Sequence, residues 1–477
     1  MKSFNRHLRK AIIIDIKIAR NKRNNDQDLS HTWEENTMIK RAMAILLAST
    51  MAVSMAACGS SSSGSDAGAG SSGGSGDKTI SVAIWDPNQL DGLQQIADEW
   101  GAESGYTVDF TVPGWDGYWT MLEAGVSGGE MPDVFWMHSN NAEKYMGSGV
   151  LMNLDSYIEN DDSVDLNNYF EGITDLYTHD GSVYALPKDH DTIAVVYNKA
   201  IFDKYGIAYP TDDWTWEDFA ATAQEISDKG KDDGVYGTYC NTGSNQDTWY
   251  NIIYSYGGEV ITEDKTASGY DEPATIEAMK FVAEKILPAC PSPDSMASTG
   301  GDTMFLSGLV GMICQGSWTV NNFYTADNAD DFGWVMMPYA DVNGNGQCEK
   351  EERCSIYNGL GWSVYSQTDE ADACWSLISY LTNKESQIKQ SELGVTMAGY
   401  IGCSEPFAEA FGDMDVSAFV NIEEQGTLIF RPYSKSTAIW EDDASKALVD
   451  VWSAPETMEE TLHQIADKMN TTLAAEK

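Results

Sequence analysis

The sequence predicts an α/β protein whose two lobes share the chain by several crossings. Strand-like and helix-like stretches alternate from residue 79 onward, and no Gly/Pro linker of domain-separating length follows residue 77. The 477 residues are 42 % hydrophobic and 22 % charged, which suffices for one large or two medium cores and rules out wholesale disorder.

Thr79 to Trp85 (TISVAIW) reads as a strand and leads into Leu93, Ile96, Ala97 and Trp100, which share one helical face. Tyr106, Val108, Phe110 and Val112 then alternate as in a half-buried strand. A helical stretch follows with Trp119, Leu122 and Val126, and then the continuous apolar strand Val134 to Met137. This order predicts a parallel sheet buried on both faces, with ligands gathered beyond the carboxyl ends of its strands. At those ends stand Trp85-Asp86, Trp115-Asp116 and His138-Ser139-Asn140. A second region starts with the strand Thr192 to Tyr197 and continues with helices at Trp216 to Lys229, Thr275 to Ile286 and Gly316 to Tyr324. Ser355 to Tyr365 is a strand broken by glycine, and helical patterns, including Ala371 to Leu381 and Ser445 to Val451, dominate the rest. The expected division is 78–191 for the first lobe, 192–335 for the second, 336–395 for a return to the first and 396–477 for a helical return to the second.

Charge excludes one class of partner. There are 29 basic and 74 acidic residues, a net charge of −45, and from Cys58 onward 19 basic face 69 acidic residues. Nucleic acid is therefore not an expected partner, and a body this acidic is repelled by anionic lipid headgroups. Membrane attachment is expected to come from the N-terminal segment instead. Lys40 and Arg41 precede the apolar run Ala42 to Met55, which is about 14 residues long, short of the roughly 20 needed to span a bilayer. Met55-Ala56-Ala57-Cys58 resembles the bacterial lipobox, in which the cysteine carries the lipid and becomes the mature N-terminus. Residues 38–57 are thus read as a lipoprotein signal peptide, Cys58 as the lipidation site and 58–77 as a Gly/Ser tether of about 25 Å root-mean-square span. The 37 residues before Met38 read as a mis-called upstream extension.

Aromatic residues make up 11 % of the chain, and several tryptophans stand beside Asp, Asn or Gly. A sugar ring offers apolar C–H faces to indole rings and a hydroxyl equator to carboxylates and amides, so this pairing suits carbohydrate. The candidate ligand residues are Trp85, Asp86, Trp115, Asp116, Asn140, Asp189, Asp191, Trp249, Gly316, Trp318, Asn358, Trp362 and Arg431.

From about residue 78 onward the chain resembles the family 1 extracellular solute-binding proteins, sugar-capturing lipoproteins of bacterial ABC importers that are related in fold to maltose-binding protein. The resemblance is carried by PDVFWM (132–137), GVLMNLDSYI (149–158), YALPKDHDTIAVVYNKAIFDKYGIAYPTDDWTWEDF (184–219), MFLSGLVGMICQGSWTVNNF (304–323) and YNGLGWSV (357–364). It implies a type II periplasmic-binding-protein-like fold with a ligand cleft between hinged lobes. It places Asp189, Asp191 and Trp318 in the cleft, with Trp85, Trp115, Asn140, Trp249, Trp362 and Arg431 as further transfers. It also implies permease subunits as partners, a monomer, and a location on the outer face of the bacterial cell membrane.

The rival reading is a secreted glycoside hydrolase using a carboxylate pair. Asp189 and Asp191, two residues apart on an extended segment, point the same way, which suits gripping hydroxyls better than flanking a glycosidic bond. No G-x-S-x-G, H-E-x-x-H, P-loop or suitably placed G-x-G-x-x-G is present, so catalysis is not expected. No cofactor is required. Asp341, Asn343, Asn345, Gln347 and Glu352, with Glu349, match the spacing of a calcium-binding loop, and the segment reads either as a structural Ca²⁺ site or as a polar hairpin tip. Seven cysteines follow Cys58, an odd number, so at least one stays free or pairs between chains. Cys348 and Cys354 are placed to bridge across that loop, whereas Cys314 and Cys374 read as small buried hydrophobes.

Overall fold

A computed structural model describes residues 78–240, 245–451 and 454–476; the upstream extension, the export signal, Cys58 and the tether lie outside the described residues. In chain order, β1 (Thr79–Ala83) leads to α1 (Leu90–Ser104), β2 (Thr107–Thr111), α2 (Trp115–Gly128) and β3 (Val134–Met137). The helix α1 forms because Leu93, Ile96, Ala97 and Trp100 recur on one face, and all four are buried. It stops at Gly105, whose φ of 78° places it in the left-handed region that glycine enters without strain.

The chain continues through β4 (Ala185–Pro187), β5 (Asp189–His190), β6 (Ile193–Asn198), α3 (Trp216–Gly230), β7 (Met312–Gly316), α4 (Val320–Tyr324) and β8 (Phe332–Met336). It closes with β9 (Cys354–Tyr357), β10 (Gly361–Val364), α5 (Ala371–Thr382), β11 (Met397–Ala398), β12 (Thr427–Phe430), α6 (Thr437–Val451) and α7 (Met458–Ala474). The first sheet has the order β2-β1-β3-β10-β4. Its three N-terminal strands are parallel as expected, but β10 runs antiparallel to both neighbours. The second sheet, β8-β6-β7, is antiparallel throughout. A uniform parallel sheet is therefore corrected. Strand-like runs fix the pleat, whereas the direction of a strand is set by the path of the connection that returns it.

Two hydrophobic cores result. One gathers buried residues from 80–186 and 357–395, the other from 193–356 and 397–473. The return to the first lobe thus comes after Ile356, about twenty residues later than expected, because Met336, Met337, Ala340 and Ile356 all pack in the second core. Two short ribbons lie between the lobes: β5 pairs antiparallel with β11, and β9 pairs parallel with β12. The strand β12 serves both lobes, since Ile429 packs on the second core, Phe430 on the first and Leu428 on both. Among the described residues no helix is long and apolar enough to cross a membrane.

Candidate functional site

On the first lobe, the carboxyl end of β1 delivers Trp85 into a cluster of rings. Its indole meets Trp115 edge-on at 5.2 Å and Trp136 at 4.8 Å, and Trp115 meets His138 at 5.3 Å. Trp115 remains 43 % exposed, so an aromatic face is left for a ligand. Beside it, Asp86 accepts the Asn88 backbone N–H at 2.9 Å and the Gln89 side-chain amide at 3.2 Å. Asp116 is exposed in the first turn of α2, where the helix dipole favours a carboxylate.

On the second lobe, β7 ends at Gly316 and the chain turns to place Trp318 half-buried. A Cβ on Gly316 would lie 1.9 Å from the Trp318 ring, so the indole rests on the bare face of the glycine. The two aromatic loops meet. The Asn88 side-chain amide donates to Asn322 Oδ1 at 2.9 Å, and Asn321 Nδ2 donates to the Gly394 carbonyl at 2.7 Å.

Polar side chains make the floor where the chain crosses between lobes. Asp191 Oδ1 accepts the Asn358 backbone N–H at 2.9 Å and Gln246 Nε2 at 3.0 Å. Burial pushes the Asp191 carboxyl well above the usual carboxylate range. Asn358 donates to Ser139 Oγ at 3.2 Å, and Arg431 donates to Asn140 Oδ1 at 2.7 Å, to Ser139 Oγ at 3.3 Å and to Glu441 Oε2 at 2.7 Å. Asn358 Oδ1 and Arg431 Nε are buried with no partner among the described residues, one acceptor and one donor in a single network.

His138, between the Trp rings and Arg431, is pushed down to about 3, first by burial and then by the Arg431 charge. Between that value and the ordinary 6.5, the unfolded chain takes up a proton that the folded protein refuses, so His138 removes stability as the pH falls. His138→Asn is therefore expected to lose less stability than the parent on going from pH 7 to pH 4 in urea unfolding; equal losses would show that the ring takes up its proton without cost.

The description of the bacterial extracellular solute-binding protein family matches residues 86–388. The chain belongs to this family. The solute-binding protein is 27 % identical to the maltotriose-binding protein of Pyrococcus abyssi over 67 % of its own length and 66 % of that protein's, so just under two thirds of the relative is spanned. It is 23 % identical to the maltodextrin-binding protein MdxE of Bacillus subtilis over 72 % of its length and 77 % of that protein's. An ABC substrate-binding protein of Listeria monocytogenes, solved in complex with cycloalternan, superposes with a TM-score of 0.71 at 23 % identity, covering 84 % of this chain and all of that one. The fold is that of the type II sugar-binding proteins.

Not every expected residue of the solute-binding protein reaches the cleft. Asp189 is 6 % exposed and spends both oxygens internally, on the Leu360 N–H at 2.8 Å and the Lys188 ammonium at 2.5 Å. It is a structural carboxylate, which leaves Asp191 alone of the expected pair. Trp249 (1 % exposed) and Trp362 (0 %) are core residues, the first packed edge-on against Tyr250 and the second against Trp136. Rings so enclosed leave no face for a sugar. Sequence reasoning missed Lys188, Gln89, Ser139, Gln246 and Glu441, which hold the expected residues in place. Lys188, inside the apolar run beside the two aspartates, was the available signal, since a lysine that folds into a core needs anionic or polar partners.

The 341–352 loop is closed by its own donors. Asp341 accepts the Asn345 and Gly346 N–H groups at 2.9 and 3.0 Å, and Asn343 Nδ2 donates to Glu349 and Glu352 at 3.2 and 3.1 Å. The described residues contain no group of three or more His, Cys, Asp and Glu placed to hold a metal ion. Those residue types leave aside the Asn343 and Asn345 amides and the Gln347 carbonyl, so melting in Ca²⁺ against EDTA decides between the two readings of the loop. A rise in Ca²⁺ means that the amides turn their oxygens inwards around the ion, and equal temperatures mean a polar hairpin tip. Cys348 and Cys354 are not bridged, and all seven described cysteines are unpaired. Burial pushes Cys354 up to about 12, as expected for an inert thiol.

Proposed function

We propose that this protein captures an oligosaccharide between its lobes and delivers it to the permease of an ABC importer, held at the outer face of the cell membrane by lipid on Cys58. The observation that carries this reading is the Asn88–Asn322 bond, which brings the loops bearing Trp85 and Trp318 together from facing lobes. A sugar between them would stack its C–H faces on these rings and on the exposed Trp115. It would offer hydroxyls to the partly exposed carboxylates of Asp86 and Asp191. The ligands named for relatives, maltotriose and maltodextrin, are of this chemical kind. The hydrolase reading is the weaker one, because Asp189, its expected second carboxylate, is held by the Leu360 N–H and the Lys188 ammonium.

The test is a thermal-shift screen of residues 78–477 against maltotriose, maltodextrin, cycloalternan and lactose, with product analysis. Stabilisation by one sugar that is recovered intact is the expected result. Breakdown of the sugar would hand the site to the hydrolase reading, and no shift with any sugar would remove the proposed ligand class. Metabolic labelling of the precursor with a fatty acid, lost in Cys58→Ala, tests the anchor.

A further inference from the structure

Lys188 is completely buried, and its ammonium donates to Gln89 Oε1 at 2.6 Å, Asp189 Oδ2 at 2.5 Å and Thr396 Oγ1 at 3.4 Å. Three protons thus have three acceptors. An ammonium has nothing to accept with, so the Gln89 amide must turn its oxygen inwards and its NH₂ outwards. The outward NH₂ donates to Asp86 Oδ2 at 3.2 Å, while Asp86 Oδ1 accepts the Asn88 N–H at 2.9 Å. The same ammonium lies 4.5 Å from the centre of the Trp136 ring, and Trp136 packs edge-on against Trp85. One buried charge therefore stands beneath both members of the Trp85-Asp86 pair. Asp189 answers the charge of the ammonium, while Gln89 and Trp136 take up its remaining contacts on the side that faces Asp86 and Trp85.

We propose that Lys188 and Gln89 form a buried relay that fixes the Asp86 carboxylate toward the ligand, which makes Gln89 a positioning residue of the sugar site. The inference rests on the oligosaccharide reading given above for the role of Asp86, and on hydrogen-bond geometry alone for the relay. Its consequence is directional. Gln89→Glu keeps an acceptor for Lys188 but turns a second carboxylate toward Asp86, whereas combining it with Asp86→Asn exchanges donor and acceptor and re-forms the link.

The experiment compares the parent, Gln89→Glu and the Asp86→Asn/Gln89→Glu pair by hydrogen exchange at the Asn88 amide, by melting, and by titration with maltotriose. In Gln89→Glu the Asn88 amide is expected to exchange at least about fivefold faster, the equivalent of one lost hydrogen bond, and the Kd for maltotriose to rise by a similar factor. The double variant restores the protection of Asn88. A protein that merely lost packing would melt lower in both variants and recover in neither. Unchanged exchange in Gln89→Glu, or no recovery in the pair, overturns the relay. Faster exchange with unchanged Kd overturns its role in binding. If the parent itself binds no sugar, the oligosaccharide reading falls, while the exchange comparison still decides whether Gln89 holds Asp86.

Discussion

Arg431→Met is expected to lower the stability of the folded protein by about 3–5 kcal/mol, the usual cost of removing one partner from a buried ion pair. Arg431 is 4 % exposed and meets both oxygens of Glu441, at 2.6 and 2.7 Å. Methionine fills much of the volume of the arginine stem, so the loss is electrostatic rather than a cavity. Among the described residues Glu441 would keep the Asn245 amide at 3.1 Å and the Tyr250 hydroxyl at 3.5 Å, too little for a carboxylate out of water. The midpoint of urea unfolding reads the effect. Removing both charges in Arg431→Met/Glu441→Leu is expected to recover most of the stability but none of the sugar affinity, because Asn140 and Ser139 lose the guanidinium that orients them. A single variant as stable as the parent would mean that water reaches Glu441.

The second large effect concerns one methyl group. Gly316→Ala is expected to weaken oligosaccharide binding about 30-fold, roughly 2 kcal/mol, as much as Trp318→Ala does. The backbone at Gly316 has φ of −83°, which alanine adopts freely, so no strain arises in the chain. The steric conflict is with the half-buried Trp318 ring, 1.9 Å from the added carbon, so the ring must leave its stacking position. Because both substitutions remove the same surface, the double variant is expected to bind no worse than either single one. Calorimetric titration with the best sugar of the screen measures all three. Parental affinity in Gly316→Ala would take Trp318 out of the binding surface.

Much of the candidate site was legible as a pattern because its tryptophans stand at places that local sequence marks. Trp85 and Trp115 stand at a strand end and a helix start, and apolar periodicity located both. Trp318 follows a strand closed by glycine, and the resemblance to solute-binding proteins covers that stretch. Trp249 and Trp362 misled for a physical reason: a tryptophan at the edge of an apolar run has the same local pattern whether its ring faces a cleft or a core. Asp189 misled likewise, since its neighbour Lys188 turned inwards and claimed it.

The sequence by itself determined the α/β alternation, the family, the acidic surface and the tryptophans at β-strand ends, because these follow from periodicity, composition and short contiguous motifs. Only the tertiary structure decided which carboxylates remain open to a ligand. That depends on partners far apart in the chain, Lys188 with Gln89 and Thr396, Arg431 with Asn140 and Glu441, Asn88 with Asn322. Burial forces Lys188 and Arg431 to find acceptors, and folding alone brings those partners, like the exposed Asn88 and Asn322, within reach.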